Sequence, residues 1–379
     1  MTSDRTPKVS VIVPVMNVEP FVEQCVRSLM RQTLEDIEII IVDDGSTDRS
    51  GAICDALAAE DARIRVIHKA NAGYGAAVNT GFDAARGEYL GILESDDFCD
   101  VDAYELLYNA AKQADADVAK AQFFLYWKSF ERADPFPFFA PDDCGHVLSP
   151  FDADYVFNLK ASIWSAIYRA SFLREKGIRL HETPGASYQD SPFNFMVFAL
   201  AERATFLEER LFFYRQDNEG SSVNSRHKAF VIFGEYDFME EFLEAHADHP
   251  RIERLWQLLA LMRHDAYLWN YDRVDPSYHA ELAERMAADF ARDARAGRYR
   301  ADLIDARRWR NISLLARNPE KWSARYDAGE LVEAGGIAGK IDNARTYISG
   351  LGLGPYLSRA AGKYLSRSRD EEAHQWVLK

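Results

Sequence analysis

"VSVIVPVMN", residues 9–17, is the chain's first long run of apolar, mostly β-branched residues, and it lacks the regular polar alternation of a half-exposed strand. Such a run reads as a strand covered on both faces, the habit of parallel sheets. Moving outward, Phe21, Val22, Cys25, Val26, Leu29 and Met30 recur at helical spacing, with Pro20 near the start. "IEIIIVDD" (37–44) is a second strand, followed by a helix for which Ser46 or Thr47 is the expected N-cap. "RIRVIH" (63–68) is a third strand, and "NAGYGAAVNTGFDAARG" (71–87) a turn and a helix closed by Gly87. "EYLGIL" (88–93) is a fourth strand. The order βαβαβαβ predicts an α/β domain with a mostly parallel sheet and helices on both faces. Ligands of such sheets bind beyond the carboxyl ends of the strands, where "PVMN", "VDDGSTD", "HKANAGYG" and "ESDDF" stand.

A helix over 101–114, capped by Asp100, and a strand in "DVAKAQFFLYW" extend this half; 128–150, rich in Pro and aromatics, reads as a long loop. From about 226 onward the pattern is amphipathic, helical and strand-poor. The expected divisions are 1–125, 126–225 and 226–379. A length of 379 residues also asks for more than one core. The net charge of −15 argues against a nucleic-acid partner. Four well-separated cysteines without a CxxC pair fit neither a zinc site nor a disulfide scaffold and point to a reducing, cytoplasmic setting. "MTSDRTPK" lacks the apolar core of a secretory signal, and no run of about 18 apolar residues predicts a membrane span.

Four acidic residues, Glu94, Asp96, Asp97 and Asp100, crowd the end of the fourth strand. Carboxylates so close suit a hard divalent cation, Mn²⁺ or Mg²⁺, which takes one or two carboxylates plus substrate phosphates. The plainer reading is a solvated acidic turn before a helix. "NAGYGAAV" resembles the dinucleotide fingerprint G-x-G-x-x-G, but Val78 stands at its third position and it follows the third strand, which weakens a nicotinamide oxidoreductase reading. Its glycines suit close backbone approach to the ribose or phosphates of a nucleotide.

"VSVIVPVMN", "VDDGSTD", the Asn-x-Gly repeats at 71–81 and "ESDD" stand in the order and at the spacing seen in family 2 glycosyltransferases, which residues 8–225 resemble. The resemblance implies the GT-A (Rossmann-like) nucleotide-diphospho-sugar transferase fold, a UDP- or dTDP-sugar donor, a divalent metal and inversion at the anomeric carbon. It implies that Pro14, Val15 and Asn17 border the base and ribose and that Asp43 contacts the base. Asp44, Gly73 and Asn79 fall in the same donor-side motifs. Asp97 and Asp96 form the DxD-type site, Asp97 on the metal and Asp96 on the ribose side or the reverse. Met16, Val78 and Glu94 depart from the usual Tyr, Arg and Asp; Lys69 or a later Arg is then left for the diphosphate. In "HETPGASYQDSPFNF" (181–195) Asp190 matches the catalytic base, against the plainer reading of a helix N-cap. Trp164 and Tyr188 fall on the acceptor side, Trp164 either stacking on a sugar or buried in the core. Arg215 is offered to the diphosphate or to a surface ion pair. Asp217 stands where relatives often carry His. "DARRW" has Asp305 in place of the Gln of the processive signature, so addition of a single sugar is expected. The implied acceptor is a hydroxyl of a cell-surface glycan or lipid-linked carrier. A silent sugar-nucleotide-binding subunit is the other reading. The basic stretch 340–369 reads as a peripheral membrane surface or as a packing element, and the helical C-terminal region could form a homodimer.

Overall fold

The computed structural model describes residues 6–136, 138–218, 228–300 and 302–331. The chain divides into two compact units, Met1–Asn224 and Ser225–Lys379.

In the first unit, β1 (Val9–Val15), α1 (Val22–Met30), β2 (Ile37–Asp43), α2 (Ser50–Glu60), β3 (Ile64–His68), α3 (Tyr74–Ala84) and β4 (Tyr89–Ile92) alternate as the periodicity predicts. β5 (Phe98–Cys99), α4 (Ala103–Ala114), β6 (Val118–Trp127), β7 (Arg132–Phe136), β8 (Val147–Leu148), β9 (Ala166–Arg169), α5 (Ala170–Glu175), α6 (Asp190–Leu200) and β10 (Ala204–Arg215) follow. The strands order as β3-β2-β1-β4-β9-β6-β10-β5, with β7 on β6 and β8 on β10. β3, β2, β1 and β4 are mutually parallel, whereas β9 runs antiparallel to β4 and β6 on either side. The parallel reading thus holds for the first four strands, and the sheet is mixed beyond them. β1 lies between β2 and β4, so the chain crosses over in opposite directions on its two sides. That switch point puts the ends of β1, β2 and β4 around one crevice.

Every residue of β1 and β2 is buried, which is why neither alternates. A buried Glu38 in β2 is tolerated because it is fully engaged: Ser10 Oγ donates to Oε1 at 2.5 Å, the Arg86 N–H donates at 2.7 Å and the Arg86 guanidinium pairs with Oε2. α3 packs on β1 through Gly81, where a Cβ would lie 2.4 Å from Ile12 Cγ2.

Several local expectations are corrected. α2 begins at Ser50 with Arg49 at its N-cap, so neither Ser46 nor Thr47 caps it; the turn before it is held from β1, as described below. α3 ends at Ala84, and Gly87 is instead pressed on β1, its N–H donating to Ser10 Oγ at 2.7 Å. α4 is preceded by Asp102, while Asp100 is exposed and contributes its carbonyl to Ala103 N–H. Within 128–150, β7 and β8 add to the sheet, because backbone left beside an open edge gains from pairing with it.

The second unit is helical among the described residues: α7 (Val231–Ala245), α8 (Ile252–Arg273), α9 (His279–Arg295), α10 (Ala306–Arg317) and α11 (Pro319–Asp327). Its core holds Arg263 at 1% exposure, paired with Asp293 at 2.5 Å and with Glu240. No helix among the described residues is long and apolar enough to cross a membrane. The basic stretch 340–369 lies outside the described residues.

Gly81→Ala sets helix propensity against overpacking. Propensity favours Ala by about 1 kcal/mol, and crowding a packed site costs about 1–3 kcal/mol. Because the added methyl meets Ile12 on a strand with no room behind it, the variant is expected to be less stable, with a lower urea midpoint at unchanged m-value.

Candidate active site

The loops at the carboxyl ends of β1 and β2 are tied together before any ligand arrives. Asn17 sits at φ 52°, and this left-handed turn aims its side chain back at the loop after β2. Its Oδ1 accepts Thr47 N–H at 2.8 Å, and its own N–H donates to Ser46 Oγ at 3.1 Å. Pro14 and Val15 are buried backbone, with the Val15 carbonyl accepting Asp44 N–H. Asp43 Oδ1 accepts Ser46 N–H and Oδ2 meets His68 Nδ1 at 2.8 Å; His68 Nε2 reaches Asp55 at 3.0 Å. Burial pushes Asp43 up, but the bonds from Ser46 and His68 outweigh it and hold the carboxyl below its ordinary value. The same pair of carboxylates, Asp43 first, raises His68.

Asp44, 2% exposed, is turned inward. It takes Lys69 Nζ at 2.6 Å and the N–H groups of Ala72 and Gly73 at 3.0 and 2.9 Å. Both Asp44 and Lys69 therefore brace the 69–73 loop. The glycines of this loop serve neighbouring protein backbone. A Cβ on Gly73, at φ +97°, would lie 2.3 Å from Thr183 O, and one on Gly75 would lie 2.1 Å from His181 O. Close approach is needed as expected, but the partner is the 181–185 segment. Asn79 is likewise corrected from a donor contact to a latch. Buried at 1% exposure, it donates to Leu180 O and Glu182 Oε1, both at 2.9 Å, and accepts Leu180 N–H at 3.1 Å. Gln189 closes the segment on itself, donating to Thr183 Oγ1 at 2.8 Å. The chain so seated ends at Tyr188, with φ 64°, and at Asp190, the first residue of α6.

The acidic turn after β4 divides by burial. Asp97 is 1% exposed, and its Oδ1 accepts Arg215 N–H at 2.7 Å while Oδ2 is buried with no hydrogen-bond partner. Burial first, then Asp96, hold Asp97 well above the usual carboxylate range. Asp96 is half-buried and accepts Asn218 Nδ2 at 2.8 Å. Glu94 accepts Tyr74 OH at 2.5 Å and is pushed up to about 8 by burial and by Asp96 and Asp190, against the Tyr74 bond. Arg215 is buried rather than at the surface, and its ion pair is with Asp217 Oδ1 at 3.8 Å. Its side chain is 1% exposed, between the rings of Phe21 and Tyr126 at 4.8 and 5.2 Å. It donates to Asp96 O at 2.8 Å and to Gln24 Oε1 at 2.8 Å, and its Nη1 has no hydrogen-bond partner.

Asp190 lies in the same electrostatic neighbourhood as Glu94, Tyr74 and Tyr214. Its carboxyl is raised by burial, against the pull of Lys160, of the helix-start N–H groups and of Lys120. Trp164 is corrected to a core residue: 6% exposed, it packs edge-on against Phe123 and over Tyr214, at 4.8 and 5.2 Å, which leaves little ring face for a sugar. Sequence reading missed Tyr74, Lys120, His68 and Asn218. Lys120 alone carried a signal, as a charge in the middle of an apolar strand.

Among the described residues no three Asp, Glu, His or Cys side chains gather closely enough to hold a metal ion by themselves. The carboxylate oxygens of Asp96, backed by the unpartnered Oδ2 of Asp97, nonetheless fit a hard cation in a partial shell, of the kind Mg²⁺ or Mn²⁺ completes with phosphate oxygens.

Residues 10–167 match the family model for Glycosyl transferase family 2. The uncharacterized glycosyltransferase EpsJ of Bacillus subtilis is 39% identical over 219 residues, 56% of this chain and 62% of its own length. Glycosyltransferase GlyG of Streptococcus pneumoniae is 33% identical over 248 residues, 63% of this chain and 80% of its own. The chain thus spans somewhat under two thirds of EpsJ. In fold, S. aureus TarS 1-349, crystallised in complex with UDP-GlcNAc, aligns with a TM-score of 0.66 at 17% identity, over 85% of this chain and 92% of that one.

Asn79→Ala removes three bonds and leaves the buried N–H and C=O of Leu180 unpaired. A stability loss of about 1–3 kcal/mol is expected. Limited proteolysis should then cut within 180–189 sooner than in the wild type.

Proposed function

Because the chain belongs to glycosyltransferase family 2, we propose that it transfers one sugar, with inversion, from a nucleoside-diphosphate sugar to a hydroxyl of a glycan or lipid-linked acceptor. The observation that carries this reading is the gathering of Glu94, Asp96 and Asp97 with Asp190 at the carboxyl end of β4, joined by Arg215 and by the Tyr74 bond. UDP-GlcNAc is the first donor to test because TarS, similar in fold, was crystallised with it.

Asp190 takes the proton of the acceptor hydroxyl as its oxygen attacks the anomeric carbon, and the bond from that carbon to the diphosphate breaks on the opposite face. Of the two carboxylates expected at the metal, Asp96 is the better ligand. It is half-buried and open to the crevice, whereas Asp97 is enclosed and tied to Arg215. Asp96 would hold a Mn²⁺ or Mg²⁺ ion, which when bound supplies positive charge to the departing diphosphate. Arg215, whose Nη1 lies 3.8 Å from Asp217 Oδ1 and makes no hydrogen bond, is the cation of the chain assigned to the same leaving group, and Lys69 stays with Asp44. Asn17 and the 45–49 turn border the nucleoside.

A thermal-shift panel of UDP- and dTDP-sugars with and without Mn²⁺, run alongside transfer and donor-hydrolysis assays, tests the reading. Stabilisation by UDP-GlcNAc or a related donor should require Mn²⁺, and Asp96→Asn should abolish that requirement together with the binding. Asp190→Asn should keep donor binding and lose turnover by about 10²-fold or more. Turnover at the wild-type level in Asp190→Asn would exclude it as the base. Tight donor binding by the wild type without any turnover would favour a silent sugar-nucleotide-binding subunit. With its carboxyl raised by burial, Asp190 should place the acid limb of the rate profile above the ordinary aspartate value of about 3.9, activity falling as pH drops through that limb.

A further inference from the structure

The chain leaving β10 is held at every step before it reaches Asn218. The Arg215 N–H donates to Asp97 Oδ1 at 2.7 Å, and Arg215 Nε donates to the main-chain carbonyl of Asp96 at 2.8 Å. The Gln216 N–H donates to Tyr126 O at 2.8 Å, and Asp217 Oδ2 accepts the Ser129 N–H at 2.8 Å, so the backbone stays tied to β6 and to the turn after it. Asn218 is thereby presented to the acidic turn, where its Nδ2 donates to Asp96 Oδ2 at 2.8 Å. Asp96 differs from its two acidic neighbours. Asp97 is enclosed with the Arg215 N–H, and Glu94 accepts the Tyr74 hydroxyl. The other oxygen of Asp96, Oδ1, accepts no hydrogen bond among the described residues, and no cation there forms a salt bridge with its carboxylate. Arg215 reaches past the carboxylate to the carbonyl of the same residue.

We propose that Asn218 is a positioning residue for the metal: its amide fixes the Asp96 side chain so that Oδ1 is the oxygen offered to a divalent cation. This rests on the reading that Asp96 holds Mn²⁺ or Mg²⁺. Among the described residues no three ligand side chains gather into a cage, so what the protein contributes depends heavily on how this one carboxylate is aimed. An unrestrained aspartate loses rotamer freedom when it takes a ligand, and a side chain already held loses less. The donor is also of the right kind. A neutral amide orients the carboxylate and leaves its negative charge for the cation, whereas Lys or Arg at the same place would cancel that charge and repel the metal. Outer hydrogen bonds of this sort orient ligating carboxylates, and the loss of one costs about 10–100-fold in metal affinity.

The test reads metal affinity rather than turnover. Free Mn²⁺ is followed by its electron paramagnetic resonance signal as it is titrated into the full chain with UDP, the Mn²⁺–UDP complex without protein serving as the blank. Wild type, Asn218→Ala, Asn218→Gln and Asp96→Asn are compared, and the thermal midpoint of each is measured without metal or nucleotide. Asn218→Ala is expected to bind Mn²⁺ about tenfold or more weakly than wild type at an unchanged thermal midpoint. Asn218→Gln, which keeps the amide on a longer stem, should recover part of that loss. Wild-type affinity in Asn218→Ala would overturn the proposal. Tighter binding in Asn218→Ala would also overturn it, in favour of an amide that competes with the metal for Asp96. An equal loss in Asn218→Ala and Asn218→Gln with a lowered thermal midpoint in both would overturn it in favour of a purely structural brace. Equal Mn²⁺ binding by wild type and Asp96→Asn would remove the metal reading at Asp96 and the proposal with it. That outcome is distinct from one in which Asp96→Asn loses Mn²⁺ while Asn218→Ala keeps it, which removes the proposal alone.

Discussion

The segment that carries Asp190 can reach the acidic turn only because two helix-start residues lack a side chain. At Gly73 and Gly75 a Cβ would fall 2.3 and 2.1 Å from carbonyl oxygens of Thr183 and His181, far inside any contact that real atoms make. α3 and the 181–185 backbone therefore lie directly against each other, with Asn79 clamping Leu180 and Gln189 bracing Thr183. With that contact made, Tyr74 at the head of α3 meets Glu94, and the start of α6 is delivered to the same place. The two halves of the first unit share one site through this glycine-lined seam.

The charge of the site is arranged by depth. Carboxylates enclosed by protein, Asp97 and Glu94, are pushed toward the neutral form because burial penalises the ion and like charges add to the penalty. A cation lies beside the turn in an enclosed position, Arg215 between two aromatic rings with its N–H on Asp97. A divalent ion in such a place would reverse the balance for the carboxylates nearest it. The crowding of carboxylates in "ESDD" is thus met in part by the Arg215 N–H and by burial, which favours the neutral form of Asp97 and Glu94, before any ligand is considered.

Much of the frame was legible. Seven-residue apolar runs that do not alternate identify β1 and β2, and 3.6-residue spacing identifies the helices between the strands, because both patterns follow from which faces are dry. The ends of elements were less so. A Ser or Thr ahead of α2 looked like a cap, yet Asn17, from the loop after β1, satisfies that turn. Gly87 looked like a helix stop, yet it is small because Ser10 lies against it. Trp164 had an acceptor-side reading until Phe123 and Tyr214 occupied its faces.

The sequence by itself determined the alternating α/β order, the loops that meet at the strand ends and the acidic residues they carry, since these follow from local periodicity and from motif spacing. Tertiary structure alone decided which carboxylate is enclosed and which is open, and that Asp44, Lys69 and Asn79 brace the protein. The physical reason is that burial and hydrogen bonding belong to neighbours distant in the chain: Asp97 is set by Arg215, and Asn79 by Leu180.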